Sequence, residues 1–391
     1  MTPPSGKERD IALLGGLCLF LSALDYLIPK PLPFMRIGLA NLPLLIALAS
    51  PDFIRRPHKT RRPSGSATVR PAPFFSAGEF FLLALIKAVG QAMVTGTLFS
   101  YVFVFSLAGT ALSAAIMYLC RLAAGRRISL AGIGIAGAFA SNAAQLVLAR
   151  FLVFGEAARY LAPPFLAAGI ASGASLGLFA ETFAARSRWL WLRHGGVSAP
   201  DTPAMDTLPA AMDPPPLAAP DTPAAPTPQR LPVFSVKGAA FLILGLAFLF
   251  LPQLPVRGGL FVAFWFAAVL GGKKTRPLFT ILGFAAIMIC NLFPPFGKIL
   301  WSAGPLLITE GSLLQGLQRA VTMEGLMMFS RLVPGSALPL PGKPGRLLRE
   351  SLAILEELNK TGLAAKKPGK TRTRFFHNLD QLLCRLSAGA R

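Results

Sequence analysis

The stretch at residues 130–154, LAGIGIAGAFASNAAQLVLARFLVF, sets the terms on which this chain can fold. It is long enough to cross a bilayer, which takes roughly 20 apolar residues. In lipid every backbone N–H and C=O must be satisfied within the segment, so a spanning stretch of this kind is a helix. Yet it carries Ser141, Asn142, Gln145 and Arg150. Polar side chains are costly inside a membrane, and those found there usually face a bundle interior or a cavity.

The remainder of the chain fits a membrane setting. Of its 391 residues, 53% are hydrophobic and 14% charged, whereas a soluble domain carries about 25% charged residues. The net charge is +22. The basic residues cluster between apolar runs, as in cytoplasmic loops. With no groove-reading module in view, this excludes nucleic acid as a partner. Cys18, Cys120, Cys290 and Cys384 stand singly and give neither a disulfide framework nor a metal-ligand spacing. His58, His194 and His377 all lie in polar stretches, so no metal or catalytic histidine is expected within the membrane.

Six apolar runs precede residue 194. The first, 11–28, reads as a retained helix, with a cleaved signal peptide as the alternative. The second, 37–49, is too short for a full crossing, and a short or re-entrant helix is expected. Runs at 80–95, 98–119, 130–154 and 161–184 follow. Gly169, Gly173 and Gly177 in the sixth would let helices approach closely. The loops after the second, fourth and sixth runs are basic, which places them and the N-terminus in the cytoplasm. Residues 198–229 are rich in Pro and Ala without Lys or Arg, a tether that cannot bury a core.

A second membrane module begins near 233, with apolar runs at 238–251, 259–270 and 278–293. Residues 299–333 hold Glu310, Gln315, Gln318, Arg319 and Glu324 among apolar residues at helical spacing. A tenth crossing is expected there, with a surface-lying amphipathic helix as the alternative. Residues 346–358 read as a further amphipathic helix, outside the lipid, in a basic tail.

Catalytic chemistry finds no foothold. No GxxxxGK[ST] loop occurs. The acidic residues are dispersed, leaving Mg²⁺-dependent prenyl transfer without ligands. No Ser/His/Asp set can assemble within the membrane. No catalytic residue, cofactor or metal is expected. What remains is a polar lining. Ser141, Asn142 and Gln145 share one helix face, and so do Lys87, Gln91 and Thr95. Arg36 and Asn41 flank the start of the short second run. Facing stripes of this kind line a small-molecule pocket, with amides orienting a ligand and Lys87 meeting an anion. The alternative is interhelical hydrogen bonding that glues the bundle. Arg36 reads first as an interfacial anchor, Arg150 as a snorkelling side chain, and Gly109 and Ser113 as packing positions.

Several of these residues fall in an order that resembles a family. Arg36-Ile37-Gly38-Leu39-Ala40-Asn41, Thr95-Gly96-Thr97-Leu98-Phe99-Ser100, Ser106-Leu107-Ala108-Gly109, and Gly137-Ala138 with Asn142 and Gln145 resemble the Gx transporter family. That family is also labelled heptaprenyl diphosphate synthase component I. It is similar to the six-helix substrate-binding S components of energy-coupling-factor (ECF) transporters. The resemblance spans about residues 10–185. Ser141 stands where the family tends to have His, Ala144 where it has Gly, and Lys87 where Arg is common. Residues 235–335 resemble, more weakly, the transmembrane T component. No clean copy of the T component's Ala-Arg-Gly coupling motif is found.

The expectation is an all-α polytopic membrane protein. A six-helix S-component-like bundle (1–194) and a Pro/Ala-rich cytoplasmic linker (195–232) precede a T-component-like module of about four helices (233–335) and a basic tail (336–391). The resemblance implies an inner-membrane capture subunit for a small molecule, embedded in the lipid bilayer and powered by ATPase subunits on separate chains. Its second label implies a non-catalytic accessory subunit of an isoprenoid or quinone pathway enzyme. The expected binding residues are Asn142, Gln145, Ser141, Lys87, Gln91, Asn41 and Arg36.

Overall fold

The computed structural model describes residues 6–27, 38–49, 75–193 save 126, most of 243–332, 342–360 and most of 379–384. Arg36, the linker at 195–232, most of the basic loop after the second run and most of the tail lie outside the described residues. Among the described residues the chain is helical apart from one β-hairpin. Three helical stretches are long and apolar enough to cross a membrane: Ala77–Thr95, Tyr101–Ala124 and the continuous Leu130–Arg186.

The first module is a bundle. Helix α1 spans Gly6–Leu27. The short second run becomes a 3₁₀ turn, Leu39–Asn41, followed by α2, Leu42–Ala47, with every residue of α2 buried. Helix α3, Ala77–Thr95, starts on a capping box. Ser76 Oγ accepts from the Glu79 amide at 3.4 Å, and Glu79 Oε2 accepts from the Ser76 amide at 2.8 Å, so two otherwise orphaned donors are satisfied. Helix α4 is Tyr101–Ala124. Helix α5, Leu130–Ala149, is capped by Ser129 and ends in a π-helical turn, Arg150–Phe154. Helix α6 follows over Ala158–Arg186.

Helices α5 and α6 pack on glycine. A Cβ added at Gly134 would lie 2.5 Å from the Gly173 carbonyl oxygen, and one at Gly177 only 2.3 Å from Ala131 Cα. Backbones this close leave no room for a side chain, as expected for the stripe at 169, 173 and 177. Glu181, also on α6, accepts from the Ala131 amide at 3.1 Å and so satisfies the head of α5. A short helix, α7, closes the module at Arg188–Arg193.

The second module departs from expectation. Helical residues at 243–245 and 247–250 lead to α8, Leu254–Leu270, and α9, Pro277–Asn291. The segment at 299–333, in which a tenth crossing is expected, opens with an antiparallel hairpin that the sequence reading did not include, β1 (Ile299–Ala303) and β2 (Leu306–Thr309). Only then does helix α10 begin, over Glu310–Leu332. Ser330 Oγ donates to the Gly96 carbonyl at 2.9 Å and accepts from the Phe99 amide at 3.1 Å. Towards the other end of α10, Arg319 Nη1 donates to Asn291 Oδ1 at 2.7 Å, and Asn291 Nδ2 donates to the Val153 carbonyl at 2.9 Å. The turn after α3 and the turn after α5 lie at the same end of an up-and-down bundle. Helix α10 reaches both from positions ~16 Å apart along its axis. It is laid across that end of the first module. Arg319 and Glu324 do not pair with each other; Glu324 is 2% exposed.

The amphipathic helix of the tail forms as expected, as α11 over Gly342–Lys360, but it does not stand free. Its apolar face, Leu347, Leu348, Leu355 and Leu358, is buried in the main core of the first module. Glu8 at the head of α1 pairs with Lys343 at 2.8 Å and with Arg346. Ser351 Oγ donates to the Ala12 carbonyl at 3.1 Å. Gly15 and Gly16 make this approach possible, since a Cβ at Gly16 would lie 2.6 Å from Ile354 Cγ2 and 3.1 Å from the Ser351 carbonyl oxygen. Gly16→Leu is therefore expected to push α11 off α1. Overpacking of this kind costs roughly 1–3 kcal/mol. The checks are a lower unfolding temperature in detergent and faster tryptic cleavage at Arg346 and Arg349.

Candidate ligand-binding site

The polar residues that the sequence places on separate runs meet at one cavity of about 40 Å³ inside the first module. Asn41, Lys87, Gln91, Ser141, Asn142 and Gln145 all line it. Arg36 alone of the expected set lies outside the described residues. Thr95 shares the helix face of Lys87 and Gln91 but turns its hydroxyl to the Gln91 carbonyl at 2.8 Å, away from the cavity.

Each wall has a local cause. Asp25, near the end of α1, accepts from the Gly38 amide at 3.4 Å. Gly38 holds φ 84, a left-handed backbone that suits glycine, and this turn sets Asn41 against the cavity. On α3, Lys87 and Gln91 sit one turn apart, 6% and 5% exposed. The Lys87 ammonium donates to Asn41 Oδ1, so the turn before α2 meets α3 across the site. Helix α4 supplies Ser106 and Thr110, and α6 supplies Ser172.

The two amides of α5 have different duties. Asn142 Nδ2 donates to the Phe165 carbonyl of α6 at 2.7 Å. A Cβ at Gly169 would stand 2.2 Å from that nitrogen, so Asn142 fills the space that glycine leaves. It is a strut between α5 and α6 as well as a wall. Gln145 Nε2 donates to Ser141 Oγ at 3.2 Å, while Gln145 Oε1 is buried without a donor. Gly109 of α4 has the packing role expected of it. A Cβ there would lie 2.7 Å from Gln145 Nε2 and 2.8 Å from Ser141 Oγ. Arg150 faces away from the site and pairs with Glu156 at 2.7 Å, both largely exposed.

Asp25 and Thr110 escaped the sequence reading, although signals existed. Asp25 is a lone acid in the apolar run LSALDYLIP, which marks a functional candidate on its own. Ser106, Thr110 and Ser113 recur at i, i+4 and i+7, one face of α4. Ser113 is buried with its hydroxyl unpartnered, but it does not line the cavity.

The volume limits what the site holds as it stands. About 40 Å³ accommodates water-sized occupants. Ligand pockets usually run from about 300 to 1,000 Å³. A metabolite therefore requires the lining to move, and the Lys87–Asn41 contact bridges the two walls that must part. Among the described residues no group of three His, Cys, Asp or Glu side chains could hold a metal ion.

Comparison with known families places the module. Residues 66–183 match the family of heptaprenyl diphosphate synthase component I. The match takes in α3 to α6 and thus Lys87, Gln91, Ser141, Asn142 and Gln145, while Asp25 and Asn41 precede it. Residues 234–334 match a domain of unknown function (DUF8519). No curated protein and no solved structure matches the chain.

The division of labour between the amides is testable. Asn142→Leu strands the Phe165 carbonyl and is expected to cost about 1–3 kcal/mol. Gln145→Leu removes an acceptor that is already unpaired together with the single bond to Ser141, and is expected to cost less, about 1 kcal/mol or under. Thermal unfolding of the two variants in the same detergent reads the difference.

Proposed function

We propose that the first module is the substrate-capture unit of an ECF-like uptake system for a small polar molecule, in the inner membrane of a bacterium with the N-terminus cytoplasmic. ATPase subunits on other chains supply the energy, and the second module acts as a T-like scaffold between them and the capture unit. The observation that carries this reading is the cavity itself. Six of the seven expected binding residues surround it, and one of them, Gln145, presents a buried acceptor without a donor. Natural structures rarely leave such an atom unsatisfied. A ligand N–H or O–H completes it.

The family description favours a second reading, an accessory subunit of a prenyl synthase complex. In that reading the soluble partner holds the catalytic groups and this chain contributes membrane attachment. The two readings separate experimentally. The capture reading expects full-length protein, purified in detergent and then denatured, to release a small molecule detectable by mass spectrometry. Gln145→Leu protein, with unchanged folding, should retain roughly a tenth as much or less, since a lost polar contact is worth about a factor of ten or more. Equal release from both proteins would overturn the pocket assignment. Co-purification with a soluble prenyl synthase whose activity needs this chain would move the assignment to the accessory role.

A further inference from the structure

We infer that Glu324 of α10 and Tyr101 of α4 form a proton-binding site at the seam between the two modules, in which the carboxyl is held as the neutral acid against the phenol. Glu324 is 2% exposed. Among the described residues it makes no hydrogen bond and no ion pair. The side chains around it are apolar. Ala320 and Met323 on its own helix and Ile287 on α9 are buried in one cluster with Tyr101, and Phe284 and Met327 pack against that cluster. Gly283 of α9 leaves the carboxyl its space, since a Cβ there would lie 2.5 Å from Glu324 Oε1. The Tyr101 hydroxyl enters the same cluster from the first module. It is buried without a hydrogen-bond partner and interacts electrostatically with Glu324.

The arginines described around α10 do not answer this carboxyl. Arg257 of α8 donates to Thr322 Oγ1 at 3.0 Å and to the Leu249 carbonyl at 3.1 Å, and Arg319 donates to Asn291. Arg331, two turns along the same helix, acts on Glu324 electrostatically without pairing with it. At the turn after α5, Arg150 and Glu156 are engaged with each other at the surface. An ionised carboxylate buried without a partner is expensive, and such a group gives up its charge instead. A bound proton settles both orphaned groups at once, because a carboxylic acid and a phenol each donate and accept. Without the proton, a bare charge would lie between α9, α10 and the head of α4. That is the seam which Ser330 closes through Gly96 and Phe99, two turns further along α10. A group that keeps its proton in the folded chain and loses it in the unfolded one makes stability fall as pH rises. The contact between the modules therefore holds at neutral pH and loosens as the medium turns alkaline, whatever the cavity of the first module binds.

The test is infrared difference spectroscopy on the full-length protein in lipid nanodiscs, wild type minus Glu324→Gln. The expected result at neutral pH is a carboxylic-acid C=O stretching band that the variant lacks and that vanishes from the wild type at alkaline pH. Tyr101→Phe should keep the band and move it to higher frequency, because the acid loses its hydrogen bond. Glu324→Gln, a neutral isostere, should unfold at the wild-type temperature at neutral pH and escape the wild type's loss of stability at alkaline pH. No band at neutral pH would overturn the proton site. So would a band indifferent to Tyr101→Phe. Saturable loss of the band on titration with sodium or potassium chloride at neutral pH would make the site one for a metal cation, and the proton assignment would fall. Should Glu324→Gln fail to fold, the wild type compared with Tyr101→Phe gives the same reading, a shifted band in support and an unshifted one against.

Discussion

An ammonium group inside a helical bundle must be met by oxygen, and Lys87 finds that oxygen on Asn41. Lys87 is 6% exposed, deep enough that an unanswered charge would cost several kcal/mol. The partner comes from a segment too short to cross a bilayer. Residues 38–47 are held inside the bundle by this contact and by the Asp25–Gly38 hydrogen bond, and they bring Asn41 and Leu45 to the cavity. The interruption in the helical pattern after α1 thus coincides with the turn that presents Asn41.

The opposite wall depends on a different force. Between helices in lipid there is little hydrophobic driving force, so close van der Waals approach and hydrogen bonds do the holding. Gly134, Gly173 and Gly177 allow that approach, and the Asn142–Phe165 bond fixes the register of α5 on α6. Once Asn142 is committed to the strut, Gln145 one turn further has only Ser141 within reach. Its carbonyl oxygen is the remainder of a packing solution. That is why one of two neighbouring amides is structural and the other is available.

Much of the first module was legible because its signals are local. Helical periodicity put Ser141, Asn142 and Gln145 on one face and Lys87 and Gln91 on another, and membrane cost pointed both faces inward. Asp25 belongs to no stripe of amides and cations, although a single acid in an apolar run obeys the same rule. The second module was harder. Residues 299–309, ILWSAGPLLIT, carry strand-forming residues on both sides of Gly304-Pro305, a hairpin signal. The return of the basic tail to the cytoplasm asks only for a crossing somewhere in 299–333, and it hides this local hairpin signal. The site of α11 was beyond sequence reasoning. Its own pattern is amphipathic, but the groove that receives it is made by Gly15 and Gly16, more than three hundred positions earlier.

That docking ties the far end of the chain to the cavity. Leu348 of α11 and Leu19 of α1 both pack over Gly90, the residue next to Gln91 and three from Lys87. The same helix leans through Ser351 on Ala12 of α1, the helix that ends near Asp25. The two charged groups of the site therefore stand on helices bridged by α11 on the side away from the cavity. Core packing is dense and does not deform continuously, so a displacement on one side of α1 or α3 is felt on the other. A ligand that separates Lys87 from Asn41 works against the α11 contact as well.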